Sequence, residues 1–295
     1  MKRLLIYLVL SLFSIASLAQ VRVVTTTTNL ADVVEKIGGE SVSVLSLAKG
    51  TQDPHFLEAK PSYTFKLAKA DLLVNIGAGL ESGWLPLIIR GSRNPSIRDG
   101  QRGRFEAADI VSLKQEHKGE ISRAQGDVHP EGNPHFMLSP TKALEVAKAI
   151  KDKLSLIDSK NTSRYEENFK RFENQMKSKI KELKSVIKSG THIITYHRTL
   201  TYYLDEFGIH IKNVLEPKPG IPPTASHIIK VIKEMKEEGI RSIVVENYFD
   251  SSVAKRIKTS IKDVKINIVP VAVNGNEKAK DIFSLYDELA KALKE

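Results

Sequence analysis

Residues 165–187 read YEENFKRFENQMKSKIKELKSVI and carry the clearest periodicity in the chain. Tyr165, Phe169, Phe172, Met176, Ile180, Leu183 and Ile187 recur at steps of four and three, the spacing of one continuous apolar stripe on an α-helix. At ~1.5 Å per residue the stripe predicts a helix of about 24 residues, roughly 36 Å long. A helix of that length can run along two lobes and join them stiffly.

On both sides of it the chain alternates between strand-like and helix-like segments. Before it, Val21 to Thr27, Val42 to Leu47 and Leu72 to Ile76 read as buried strands. Between them, Asn29 starts a helix with Leu30, Val33, Val34 and Ile37 on one face, closed by Gly38-Gly39, and Pro61 opens another. Residues 91–134 are rich in Gly, Arg, Asp and Pro and read as irregular surface, with a short strand within Phe105 to Val111 and a helix from Pro140 or Thr141 to Leu156 beyond. After the long helix, strands are predicted at His192 to Tyr196, Ile209 to Val214, Ile243 to Val245 and Ile266 to Val273. Helices follow at Thr199 to Phe207, from Thr224 or Ser226 to Glu238, at Ser251 to Ile261 and at Ile282 to Leu293. Strand–helix alternation of this kind implies parallel sheets covered by helices. The expected fold class is α/β, with two (β/α) lobes, each on a central, mostly parallel sheet, joined by one long rigid linking helix. The expected divisions are a signal peptide over 1–19, an N-terminal metal-binding lobe over 20–160, the linking helix over 161–189 and a C-terminal metal-binding lobe over 190–295.

The first residues read as an address. Lys2 and Arg3 precede an apolar run from Leu4 to Ile15 and the small residues Ala16-Ser17-Leu18-Ala19, the pattern of a secretory leader cut after Ala19. The run falls short of the ~20 apolar residues that a membrane span needs, so the mature chain is expected to be exported without stable membrane insertion. The 295 residues contain no cysteine, which removes thiolate zinc sites, iron–sulfur clusters, disulfides and a lipoprotein anchor. Any metal must be held by nitrogen and oxygen. The formal charge of +10 falls by two when Lys2 and Arg3 leave with the leader. The remaining Lys and Arg are interspersed with Glu and Asp on helices, as in Lys177 to Lys188 and Lys230 to Glu238, so they read as solvated helix faces and not as a nucleic-acid surface.

Three histidines stand where ligands bind in open α/β sheets, beyond strand ends or just before a helix. His55 follows the second strand, His135 lies in Asn133-Pro134-His135-Phe136, and His197 follows the strand ending at Tyr196. Pro54 and Pro134 each fix the backbone ahead of a histidine. Neutral imidazoles converging from two lobes would suit a borderline divalent cation, above all Zn²⁺. A single histidine after a strand is more often a hydrogen-bonded loop residue, however. Separations of 80 and 62 residues do not by themselves bring the three together.

Gly50-Thr51-Gln52-Asp53-Pro54-His55, Asn133-Pro134-His135-Phe136-Met137-Leu138-Ser139-Pro140, and Thr195-Tyr196-His197 followed by Tyr202-Tyr203 resemble three ligand motifs of a known family. These are the extracytoplasmic zinc- and manganese-binding receptors of ABC importers, and the likeness covers the whole mature chain in motif order. The resemblance implies a periplasmic, monomeric receptor that captures one divalent cation between its lobes and delivers it to a membrane permease. It implies that His55 and His135 bind from the first lobe and His197 from the second. Manganese receptors of this kind have a carboxylate at the third position, so His197 points to Zn²⁺ over Mn²⁺. The family's aspartate after the last strand is missing here, where the chain reads Val269-Pro270-Val271-Ala272-Val273-Asn274-Gly275. Water, Glu246 or His129 could fill the fourth position, and Glu246 is equally readable as a residue that orients a histidine. His117 and His129, flanking a polar loop, read otherwise as solvated residues, and His192, His210 and His227 as structural or surface residues. Two other classes compete: a secreted zinc hydrolase, although no H-E-x-x-H is present, and a receptor for an organic solute, although Trp84 is the only tryptophan.

Overall fold

The computed structural model describes residues 20–116 and 129–294. The expected leader and His117 lie outside the described residues. The β-branched runs form two four-stranded sheets in which every pairing is parallel. The first contains β1 (Val21–Thr25), β2 (Val42–Ser46), β3 (Leu72–Asn75) and β4 (Arg104–Glu106), in the order β2-β1-β3-β4. The second contains β5 (His192–Thr195), β6 (His210–Val214), β7 (Ser242–Glu246) and β8 (Lys265–Val269), in the order β6-β5-β7-β8. The second sheet thus repeats the topology of the first, and the two α/β lobes are built on one plan. In each, the first strand has a neighbour on either side, and the chain beyond its carboxyl end meets the other lobe.

Helices cover the sheets: α1 (Thr28–Gly38), α2 (Pro61–Ala68), α3 (Leu85–Ser92), α4 (Pro140–Ile157), α5 (Thr162–Val186), α6 (Thr201–Glu206), α7 (Ala225–Glu237), α8 (Ser252–Ser260) and α9 (Ile282–Leu293). Their starts follow local chemistry. The Thr27 hydroxyl accepts the Leu30 amide at the head of α1, Ser139 accepts that of Lys142 with Pro140 in the first turn of α4, and Asp281 and Ser284 form a reciprocal capping box on α9. β8 stops at Val269, short of the predicted Val273, because Pro270 has no N–H to continue the ladder. The strand expected within Phe105 to Val111 is only Arg104–Glu106, after which the backbone tightens into a 3₁₀ turn.

The long helix is α5, with 25 residues. Tyr165, Phe169, Phe172, Met176 and Leu183 are buried on its stripe, and it packs against α1, α4 and α9. It therefore touches elements of both lobes. The core goes further than the alternation predicts, since one continuous cluster joins Val23, Leu30, Val33 and Leu72 to Ile193, Tyr202, Leu285 and Tyr286. Buried hydrogen bonds cross the same boundary. Asn29 donates to the Val271 carbonyl at 3.1 Å and accepts the Val273 amide at 2.8 Å, and the Tyr286 hydroxyl donates to the Met137 carbonyl at 2.9 Å. At Gly50 the two backbones meet so closely that a Cβ would lie 2.2 Å from the Val273 carbonyl oxygen, which only glycine allows.

Candidate metal centre

His55 sits in a 3₁₀ turn, Pro54–Phe56, beyond β2. Asp53 caps that turn: its Oδ1 accepts the His55 amide at 3.0 Å and lies 2.6 Å from His55 Nδ1. The buried Trp84 indole donates to the Pro54 carbonyl at 2.9 Å and fixes the same turn from behind. His135 precedes the 3₁₀ turn Phe136–Leu138, with its amide bonded to the Asn133 Oδ1 at 2.9 Å. The Asn133 Nδ2 donates to the Arg198 carbonyl at 2.9 Å, which ties this loop to the one bearing His197. His197 follows β5, and its Nδ1 lies 2.9 Å from Glu216 Oε2, a buried carboxylate that also accepts the Gly220 amide at 3.1 Å.

The structure brings the three sequence-predicted histidines together. One ring nitrogen from each of His55, His135 and His197 lies within 4.8 Å of the other two, and all three residues are less than a tenth exposed. The Nδ1 of His55 and of His197 each faces a carboxylate, which leaves Nε2 as the free lone pair. His135 Nε2 is buried without a hydrogen-bond partner. Three ring nitrogens that converge, one of them desolvated and without a donor, are what a cation needs and what a core histidine avoids.

His129 also reaches the centre. Its Nε2 is 3.1 Å from His55 Nε2, close to the about 3.3 Å between two nitrogens on one tetrahedral Zn²⁺. The Ala78 carbonyl faces the other side of the ring and favours a proton there. With Nδ1–H used on both residues, two lone pairs point at each other, an arrangement that only a shared cation or proton relieves. His129 does not belong to the 4.8 Å group, and its ring centre is 6.5 Å from that of His135.

Burial and neighbouring imidazoles favour the neutral forms of His129 and His135. Burial, then the neighbouring His55 and His197, push the His129 pKa down to about 3. The same two causes, with His129 added, hold His135 well below its usual value. At Asp53 burial pushes upward, but the hydrogen bonds and charge of His55 more than offset it and leave the carboxyl below its ordinary range.

Glu246 ends β7 and is not among the residues of the 4.8 Å group. It is fully buried and neither carboxylate oxygen makes a hydrogen bond. Burial pushes its pKa up to about 8. His227 is bonded through Nε2 to the Val214 carbonyl at 2.8 Å, and His192 and His210 are exposed at the opposite sheet edge. Glu216 and Trp84 carry structural duties at the centre that their sequence context did not announce. Asp53 and Asn133 had one signal in common, each standing two residues before a histidine with a proline between.

Fold and centre together define a two-lobe α/β protein with a candidate metal centre between the lobes. Residues 23–295 match the family model described as zinc-uptake complex component A, periplasmic (ZnuA), and the chain belongs to that family. Among curated relatives, it is 25% identical over 256 residues to the manganese ABC transporter substrate-binding lipoprotein PsaA of Streptococcus pneumoniae, covering 84% of this chain and 78% of the relative. Among solved structures, it superposes on a crystal structure of ZnuA with a TM-score of 0.74 at 22% identity, over 94% of this chain and 100% of the other. It superposes equally on FpvC from Pseudomonas aeruginosa in complex with Mn²⁺, with a TM-score of 0.74 at 21% identity, over 93% and 98% of the two chains. The relatives' names thus include both zinc and manganese.

Proposed function

We propose that the protein is a zinc receptor that captures one Zn²⁺ on His55, His135 and His197, with His129 as the fourth ligand, and hands it to the membrane permease of its importer. The observation that carries this reading is the set of ring nitrogens gathered within 4.8 Å of one another, with the far sides of His55 and His197 held by Asp53 and Glu216. An all-nitrogen set favours Zn²⁺ over Mn²⁺, which prefers harder oxygen. The likeness to manganese receptors keeps Mn²⁺ as the second reading. Residues 20–160 and 190–295 would each supply ligands, with 161–189 as the stiff connection. The protein would act as an exported, periplasmic monomer released from its leader, and with no cysteine in the sequence it has no thiol to carry a lipid. Catalysis is no part of this reading, since Glu246, the acid best placed in sequence to serve as a base, is sealed from solvent.

The test is elemental analysis of the purified mature chain, followed by competition for Zn²⁺ and Mn²⁺ against a chelator. One zinc per chain is expected, with affinity for Zn²⁺ well above that for Mn²⁺. His135→Ala should cost at least 100-fold in zinc affinity, whereas His227→Ala should leave it unchanged. Equal affinities in those two variants would overturn the site, and preferential retention of manganese would overturn the choice of cation.

A further inference from the structure

The lysines of α4, α5, α7 and α9 stand among acids, but the cations of α2 and α3 do not. Between positions 59 and 98 the basic residues are Lys60, Lys66, Lys69, Arg90, Arg93 and Arg98, and the acidic ones are Asp71 and Glu81. Neither acid serves these helices. Asp71 is held by Arg22 of β1 at 2.7 Å, and the buried Glu81 accepts the Thr26 hydroxyl and the amides of Ile76 and Gly77. Lys66, Lys69, Arg90 and Arg93 are exposed and form no ion pair among the described residues.

The two helices lie against each other. A Cβ on Gly91 of α3 would stand 3.2 Å from Thr64 Cγ2 of α2, and Asn94 Nδ2, just past α3, donates to the Leu67 and Ala70 carbonyls at 2.9 and 2.8 Å. Their inner faces are spent on the core through Leu67, Leu85 and Ile88. On the outside Phe65 is 72% and Leu87 54% exposed. Phe65 follows Thr64 and Leu87 stands one turn before Gly91, so both flank the seam between the helices. Lys69 lies one turn from Phe65, and Arg90 one turn from Leu87. No other helix combines these features. Ile229 on α7 is 68% exposed, but Lys230 and Lys233 face Glu234 and Glu237 at 3.8 and 3.7 Å, so α7 supplies its own counter-charges. α8 carries Lys255, Arg256 and Lys258 but leaves none of its large apolar side chains exposed. Protruding apolar groups among uncompensated cations suit a bilayer with anionic headgroups, where the cations meet phosphates and the apolar groups enter between them.

We propose that the outer face of α2 and α3 is a docking surface for an anionic lipid bilayer, on which the protein adsorbs reversibly through Phe65, Leu87, Lys66, Lys69, Arg90 and Arg93. No described helix is long and apolar enough to cross a membrane, so the contact is peripheral. The head of α3 adjoins the His55 turn, because Trp84 donates to the Pro54 carbonyl, so a bilayer on this face lies close to the imidazoles. Adsorption does not require an ion at those imidazoles.

The test is co-sedimentation of the metal-free mature chain with protein-free vesicles of phosphatidylcholine, with and without phosphatidylglycerol, at low and high salt. Partitioning should be roughly tenfold stronger with the anionic lipid at low salt and should be lost at high salt. Each cation at such a surface is worth about fivefold, so Lys66→Gln/Lys69→Gln should weaken partitioning by roughly tenfold or more. Phe65→Ser/Leu87→Ser leaves the charge unchanged and should weaken it by roughly threefold or more. Lys230→Gln/Lys233→Gln removes the same charge from α7 and should leave partitioning within about twofold. All six positions are exposed, and an unchanged melting temperature checks that each variant folds. Equal partitioning on the two lipid compositions, equal losses in the α2 and α7 variants, or undiminished partitioning of Phe65→Ser/Leu87→Ser would overturn the proposal. Adsorption to native membrane fragments but not to protein-free vesicles would assign the face to a protein and overturn it equally.

Discussion

The Asp32 carboxylate on α1 accepts the backbone amide of Ile282, at the start of α9, through Oδ2 at 3.0 Å. That bond joins residues 250 positions apart and pins the last helix of the chain to the first described one. Burial pushes the Asp32 pKa up to about 6, against the opposing charge of Lys36.

The sign of the resulting pH dependence follows from that elevation. The folded protein holds the Asp32 proton up to about pH 6 and the unfolded chain only to about 3.8, so this group costs stability as pH rises through that window. Asn at position 32 keeps an acceptor for Ile282 without the buried charge. Asp32→Asn should therefore be more stable than the wild type at pH 7 by about 1–2 kcal/mol, with the difference vanishing near pH 4. Urea unfolding across pH 4 to 7 checks this, and a variant less stable than the wild type at pH 7 would sink it.

The carboxylates behind the imidazoles should matter to affinity almost as much as the imidazoles. Asp53 and Glu216 fix the tautomer and angle of His55 and His197. Asp53→Ala and Glu216→Ala should each weaken zinc binding by about 10- to 100-fold while keeping one ion per chain. Chelator competition reads both numbers, and wild-type affinity in either variant would refute the orienting role.

Glu246 offers the opposite expectation. Its oxygens lie outside the group of imidazole nitrogens, and burial favours its neutral form. Glu246→Gln should hold zinc affinity within about threefold, since it leaves the hydrogen bonds that fix the imidazoles in place. A hundredfold loss would instead make Glu246 the fourth ligand.

Trp84 should couple stability to the centre. Replacement by Phe leaves the part-buried Pro54 carbonyl without its donor, at a cost of about 1–2 kcal/mol. Thermal melting of Trp84→Phe should show that loss in metal-free protein, and zinc affinity should drop several-fold because the His55 turn loosens. An unchanged melting temperature would show that the indole merely fills space.

The lobes and the candidate ligands were legible because their signals are local. The stripe from Tyr165 to Leu183 is a period, and His55, His135 and His197 each follow a strand end or a proline. What was not legible depends on distance across the fold. Nothing near Glu216 announces that it will stand behind His197, and nothing in Asn29 or Asp32 foretells bonds to residues beyond 270. The common core escaped for the same reason: Tyr202 and Tyr286 look like ordinary apolar positions of one lobe until the other closes over them. His129 was ambiguous because a loop histidine has no periodic context to rank it.

The contact at Gly50 has a bearing on how the cargo leaves. With main chain against main chain there, a shared interior and a stiff rod alongside, the halves cannot gape like a clamshell. In the proposed receptor, unloading would come from local movement of the short imidazole-bearing turns and not from opening of the lobes. A receptor of this build would surrender its ion slowly in free solution and quickly only when engaged.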